Sequence, residues 1–246
     1  MTNLGIIGGS GLTALAGLRV LRRLVVQTPW GEPSGPLVVG EFAGREIFFL
    51  PRHGQPHAIP PHKINYRANL WALHSNGVQR VLAVNAVGGI TDLLGPGALV
   101  IPDQIIDYTW SRPHTFFESD LDKVTHAEFT APYNEKMRTL LIAAATKLGL
   151  AFTPAGTYGA TQGPRLETAA EITRMERDGC HVVGMTGMPE AALARELEVD
   201  YAAICVVANR AAGKSTEPIT MDLIRKHLDQ GMRQALQLLQ AVIPLL

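Results

Sequence analysis

The stretch Leu4-Gly5-Ile6-Ile7-Gly8-Gly9-Ser10-Gly11 decides the fold class. Its first half is apolar without alternation, the pattern of a strand buried on both faces. Its second half is glycine around a serine, a sharp exit at the end of that strand. Ligands of α/β folds bind at such strand ends. Successive backbone N–H groups of a glycine turn converge on an anion, and a serine hydroxyl adds a donor.

Working outward, the same pairing recurs. Glu46 to Leu50 leads into Pro51-Arg52-His53-Gly54, and Arg80 to Val84 into Asn85-Ala86-Val87-Gly88-Gly89. Val182 to Met185 leads into Thr186-Gly187, and Tyr201 to Val207 into Ala208-Asn209-Arg210. Ala98 to Ile101 is a further apolar run. Helical patterns lie between them, over Asn65 to Asn76, Asn134 to Leu148, Glu167 to Asp178, Glu190 to Glu198 and Met221 to Leu239. Strands alternating with helices predict a layered α/β fold. No repeat or linker divides the chain, and the Pro- and Gly-rich pieces Thr28 to Pro36 and Pro51 to Pro61 are loop-sized. One domain is expected over 1–246.

Charge excludes some partners. Lys plus Arg equals Asp plus Glu at 22 each, with no basic stripe, so nucleic acid is not expected. The N-terminus lacks the basic n-region of an export signal, and no uncharged run reaches the length of a membrane span. A cytoplasmic protein with reduced thiols is expected, Cys180 and Cys205 being core residues.

Each motif has a plain reading beside the chemical one. Gly9-x-Gly11-x-x-Ala14 fits a dinucleotide fingerprint loosely, but the acidic residue would be Glu32, in a Pro/Gly-rich loop. Arg52-His53 at a strand end is a natural oxyanion clamp, or a surface pair. His53, His57 and His62 lie in a loop broken by Pro56, Pro60 and Pro61, without an intervening carboxylate, so no metal is expected. Glu167 reads as a charge on a helix N-terminus, Met185 as core, and Asn209 as a turn former.

Taken in order, the segments resemble one family over nearly the whole length: the trimeric purine nucleoside phosphorylases and methylthioadenosine phosphorylases. IIGGSGL (6–12), RHG (52–54), PHKINYRANLWAL (61–73), NAVGGI (85–90), TQGPRLET (161–168) and GMTGMPEAALARE (184–196) carry the resemblance. It implies a three-layer α/β/α nucleoside phosphorylase fold with a central mixed, partly barrel-like sheet. It implies phosphate among Ser10, Arg52, His53, the Asn85–Ala86 backbone and Thr186. Met185 would pack on the ribose, while Glu167 and Asn209, with Arg210 and Ala211 beside them, read the purine. Catalysis would fall to Asn209, with His53 and Ser10 on the phosphate. His126 resembles a residue that reaches a neighbouring subunit's site in a homotrimer. Phosphate is then a co-substrate and no cofactor is implied.

The resemblance also separates substrates. Methylthioadenosine phosphorylases carry Asp at the positions of Asn209 and Ala211 and lack a Glu at that of Glu167. The inosine and guanosine enzymes have Asn and Glu, as here. Ionised Glu167 accepts N1–H of a 6-oxopurine but faces a lone pair on adenine, a mismatch worth about 10⁴-fold or more. Inosine enzymes also place a His near the start of the last long helix. This chain has Met221 and Leu223 there, and no His before His227. An oxopurine site beside an apolar 5′ pocket implies S-methyl-5′-thioinosine as substrate. Methylthioadenosine and inosine or guanosine are the alternatives. A non-catalytic nucleoside-binding protein is the alternative of another class, against which Arg52, His53 and Thr186 weigh.

Overall fold

Strand β1 (Asn3–Gly8) runs parallel between β4 (Arg45–Pro51) and β5 (Val78–Gly89) in a mixed sheet. The computed structural model describes residues 3–119, 121–216 and 219–246, with only the backbone at Met221. The other strands are β2 (Arg19–Leu24), β3 (Leu37–Phe42), β6 (Leu99–Val100), β7 (Gln104–Asp107), β8 (Phe152–Thr153), β9 (Thr157–Ala160), β10 (Cys180–Gly184) and β11 (Asp200–Arg210). The helices are α1 (Tyr66–Ser75), α2 (Glu135–Lys147), α3 (Ala169–Arg177), α4 (Gly187–Glu196) and α5 (Met221–Val242).

The sheet forks at β5. Its first half lies between β1 and β11, both parallel to it. At Gly88 and Gly89 it pairs with β11 on one side and antiparallel β10 on the other. From β10 the sheet continues through β9 to β7. Its middle strands are buried on both faces, as the unalternating sequence requires. Tyr201, Ala203, Cys205 and Val207 of β11 face one core cluster, shared with Leu70 and Leu73 of α1 and Leu193 of α4. Ala202, Ile204, Val206 and Ala208 face the other, shared with Leu141 of α2 and Leu238 and Leu239 of α5. Helices therefore cover the sheet on both sides, giving the α/β/α layering.

Three differences from the sequence reading have local causes. β5 and β11 run past the end of their apolar runs and take in Asn85 to Gly89 and Ala208 to Arg210, because each strand pairs with the other there. α3 starts at Ala169, two residues after Glu167, because the Thr168 side chain accepts from Glu171 N–H and Glu171 returns a bond to Thr168 N–H. Strands β2, β3, β7, β8 and β9 are absent from the sequence reading. β2 is an exposed, arginine-rich edge, and β8 has only two residues, too few for a pattern.

Candidate active site

A cavity of about 500 Å³ opens where β1, β4 and β10 end and β5 and β11 pass. It is lined by Ser10, Arg52, His53, Ala86, Met185 and Thr186, and also by Glu167, Asn209 and Ala211. All of these lie in or beside the motifs singled out in the sequence.

The serine loop is wedged tightly between strand and helix. A Cβ on Gly9 would come within 2.7 Å of Val84 O and of Arg52 Nη1. Gly11 has φ +83°, and a Cβ there would meet Leu228 of α5 at 2.8 Å. Ser10 is thus placed by close backbone approach on both sides.

Arg52 departs from the expected clamp. Its guanidinium is fully buried, and Nε and Nη2 donate to the two oxygens of Glu190 at 2.6 and 2.7 Å. Nη1 donates to Val84 O at 3.1 Å and Nη2 to Asn85 Oδ1 at 3.3 Å. Burial opposes the charge, but Glu190 overcomes it and holds the guanidinium protonated. Arg52 is therefore a neutralised pair at the cavity wall, with most of its donors committed. Asn85 does not line the cavity; its buried side chain links Arg52 to Thr186, toward whose Oγ1 its Nδ2 points at 3.5 Å. Thr186 precedes α4 without capping it by its side chain. The backbone amides of Thr186 and of Gly187, the first residue of that helix, donate instead to Tyr158 OH at 3.3 Å each.

His53 is 6% exposed, and its Nδ1 lies 2.8 Å from Ile59 O. Burial, with the Arg52 charge and His57 adding to it, pushes its pKa down to about 4 despite that hydrogen bond. The His57 ring stacks on it, centroids 4.3 Å apart, and also lines the cavity.

At the other end, β11 is bulged between Val207 and Asn209. An extra residue re-aims the strand, and both Ala208 and Asn209 line the cavity. Asn209 Nδ2 donates to Arg210 O at 2.7 Å, using one of its two hydrogens. Glu167 lies outside α3, next to its N-cap Thr168. Its carboxylate accepts from Thr161 Oγ1 at 2.6 Å and faces the cavity. Buried Arg112 ties the walls together. It donates to Met185 O and Met188 O at 2.9 and 2.6 Å, and to Thr161 O and Gln162 O at 3.1 and 2.8 Å.

Other expectations fall elsewhere. Arg210 turns away, donating to Asp92 O at 3.0 Å, and lines an adjoining cavity of about 320 Å³. Leu223 lines that second cavity as well, because successive helical residues point about 100° apart. The apolar side chains brought to the main cavity near α5 are Ile219, Ile224 and Leu228, beside Arg225 and Asp229. Met221, expected at the 5′ pocket, has its side chain outside the described part of the structure. His126 is exposed and lines a separate cavity of about 470 Å³ with Arg195 and Asp200. Sequence reasoning missed Glu190, Tyr158, Arg112 and the Ile224–Leu228 wall. The i, i+4 spacing of Ile224 and Leu228 was the available signal for that wall; nothing marked the other three.

This arrangement, a polar pocket at strand ends beside an amide and a carboxylate, belongs to a known class. Residues 3–244 match the Phosphorylase superfamily, and the chain belongs to that family. Among its relatives is the "Probable S-methyl-5′-thioinosine phosphorylase" of Pseudomonas syringae pv. tomato, 56% identical over 232 residues, 94% of each chain. The 6-oxopurine nucleoside phosphorylase of Pyrococcus furiosus is 45% identical over 251 residues, covering all of this chain and 94% of that one. In three dimensions the methylthioadenosine phosphorylase from Schistosoma mansoni in complex with adenine superposes with a TM-score of 0.95. It is 33% identical, over all of this chain and 92% of that one.

Proposed function

We propose that the chain cleaves S-methyl-5′-thioinosine with inorganic phosphate, giving hypoxanthine and 5-(methylthio)ribose 1-phosphate. The observation that carries this reading is one cavity holding Glu167 and Asn209 beside the apolar wall of Ile219, Ile224 and Leu228. The names of the Pseudomonas and Pyrococcus relatives support the oxopurine half. Phosphate takes its contacts from Ser10, His53, Thr186 and the Ala86 backbone, with Arg52 behind them. Its oxygen attacks C1′ as the glycosidic bond loosens toward an oxocarbenium-like centre. Negative charge grows on the departing base, and the second hydrogen of Asn209 Nδ2 meets N7, stabilising that charge where it develops. Glu167 accepts N1–H, and Met185 packs on the ribose. No cofactor beyond phosphate as co-substrate enters this scheme.

A second reading rests on Asp229, which lines the same cavity as an acceptor suited to a 5′-hydroxyl. It would favour inosine. Phosphate-dependent cleavage of methylthioinosine, inosine and methylthioadenosine, assayed side by side, separates the readings. Methylthioinosine should lead inosine by about tenfold or more in kcat/KM, and methylthioadenosine by about 10⁴-fold or more. Inosine in first place would transfer the conclusion to the second reading, and methylthioadenosine in first place would sink the role of Glu167.

We propose further that 1–246 is one domain of a cytoplasmic homotrimer in which His126 reaches the cavity of a partner subunit. The family resemblance supports this, as does the place of His126 outside its own chain's main cavity. Among the described residues no helix is long and apolar enough to cross a membrane.

A further inference from the structure

We propose that Thr161 is a positioning residue of the base site: its hydroxyl holds one oxygen of Glu167, so the carboxylate meets the purine N1–H with its other oxygen already placed. This rests on Glu167 being the residue that reads the base.

Glu167 sits on the loop between β9 and α3. The backbone beside it is fixed at the helix start, where Thr168 and Glu171 exchange hydrogen bonds. Its side chain takes nothing from that arrangement. Arg165, the cation that feels its charge, gives its fork to the two oxygens of Glu171 at 2.8 and 2.7 Å. Among the described residues no cation pairs with Glu167, and its side chain has one hydrogen bond, from Thr161 Oγ1 to Oε1 at 2.6 Å. An unheld glutamate spreads over many rotamers, and ordering it on binding lowers affinity. Thr161 does that ordering before the substrate arrives.

The donor is itself well held. Thr161 follows β9 and is buried. Its N–H donates to Gly184 O at 2.8 Å, and its O accepts from Arg112 Nη2 at 3.1 Å. Two acceptors lie within reach of its hydroxyl, Glu167 Oε1 at 2.6 Å and Gly184 O at 3.3 Å. A hydroxyl has one hydrogen to give. Gly184 O already has the Thr161 amide, and the carboxylate is both the nearer and the charged acceptor, so the hydrogen goes to Glu167. Oε2 then has no protein donor among the described residues, and Glu167 lines the cavity. One oxygen is anchored, and the other is left for a ligand N–H.

The consequence is selective. A 6-oxopurine brings a hydrogen at N1 and gains from an acceptor fixed in place. A 6-aminopurine brings a lone pair there, which a fixed carboxylate oxygen repels. A glutamate released from Thr161 is free to turn away from that lone pair. Loss of the hydroxyl should therefore weaken oxopurine binding without weakening that of aminopurines.

Thr161→Val removes the hydroxyl and keeps the branched shape and the backbone N–H. It should raise KM for methylthioinosine by about tenfold or more, and narrow the kcat/KM ratio of methylthioinosine to methylthioadenosine by about as much, the scale of a hydrogen bond to a charged group. KM for phosphate should stay within about twofold. Thr161→Ser, which keeps the donor, should restore the ratio to within about threefold of wild type. In a Glu167→Ala background Thr161→Val should change the ratio by less than about twofold, because the pair is already broken. The proposal is overturned if Thr161→Val alone leaves the ratio within about twofold of wild type, if Thr161→Ser loses as much as Thr161→Val, or if the loss persists in the Glu167→Ala background. Should Thr161→Val not fold, Thr161→Ala takes its place in each comparison. A wild type without preference for methylthioinosine over methylthioadenosine would instead remove the Glu167 reading, and the proposal with it.

Discussion

Arg52 and Glu190 meet 138 positions apart in sequence, with neither side chain exposed. Desolvating two charges is costly, and their attraction offsets that only with good geometry and further hydrogen bonds. Both conditions hold here. The contact is two-pronged, and Tyr201 OH donates to Glu190 at 2.8 Å. Glu190→Gln leaves the guanidinium buried beside a neutral partner. It should lower the free energy of unfolding by about 3–5 kcal/mol in urea titration. A loss under about 1 kcal/mol would mean that Glu190 is not the counter-charge. The arginine was legible in the sequence because it follows an apolar strand beside a His and a Gly. Its partner was not. A glutamate in the first turn of a helix has an ordinary electrostatic reason to be there, and only the packing of α4 against α1 and β11 shows that Glu190 points inward.

At the scale of elements, the walls of the cavity come from segments that sequence places far apart. Arg112 is the bracket between them. Its five N–H groups serve carbonyls on the Thr161–Gln162 and Met185–Met188 segments, the Gln162 side chain and Tyr66 OH. Lysine keeps the charge but offers three donors from one point and cannot span these acceptors. Arg112→Lys should therefore raise KM for the nucleoside by about tenfold, since charge-assisted hydrogen bonds contribute about 1.5–3 kcal/mol each. KM for phosphate should change less, because Ser10 and His53 follow other strands and only Thr186, among the phosphate contacts, lies between the carbonyls that Arg112 holds. Steady-state kinetics with each substrate varied in turn makes the comparison; an unmoved nucleoside KM would assign Arg112 to stability alone. Within Ser111-Arg112-Pro113-His114 no periodicity separates this arginine from a solvated one. The β11 bulge was equally hidden. The apolar run predicted the strand and placed Asn209 near its end, but an extra residue is visible only in the pairing with β5.

For the whole molecule, the layered arrangement was legible because both faces of the middle strands are buried, and that leaves unalternating runs. The fork at β5 was not, since Gly88 and Gly89 carry no side chain to show which neighbour they serve. Burying the strand-end residues ties global stability to protonation at the cavity. Burial foremost, then Arg52 and His57, lowers the His53 pKa to about 4 from an ordinary value of 6.5. Between those values the unfolded chain binds a proton that the folded chain does not, so stability rises with pH across the window and falls on acidification. From about pH 7.5 to about pH 5, this group should cost the fold about 2 kcal/mol. Glu171, held near 2 by Arg165 and the Thr168 amide, stays ionised in the folded state over that range, so its own acid loss comes later. His57, also lowered by burial, acts in the same direction but is exposed and contributes less. Urea unfolding of the wild type and of His53→Gln at the two pH values isolates the effect. The wild type should lose about 2 kcal/mol more than the variant, and a difference below about 0.5 kcal/mol would show that His53 keeps an ordinary pKa inside the fold.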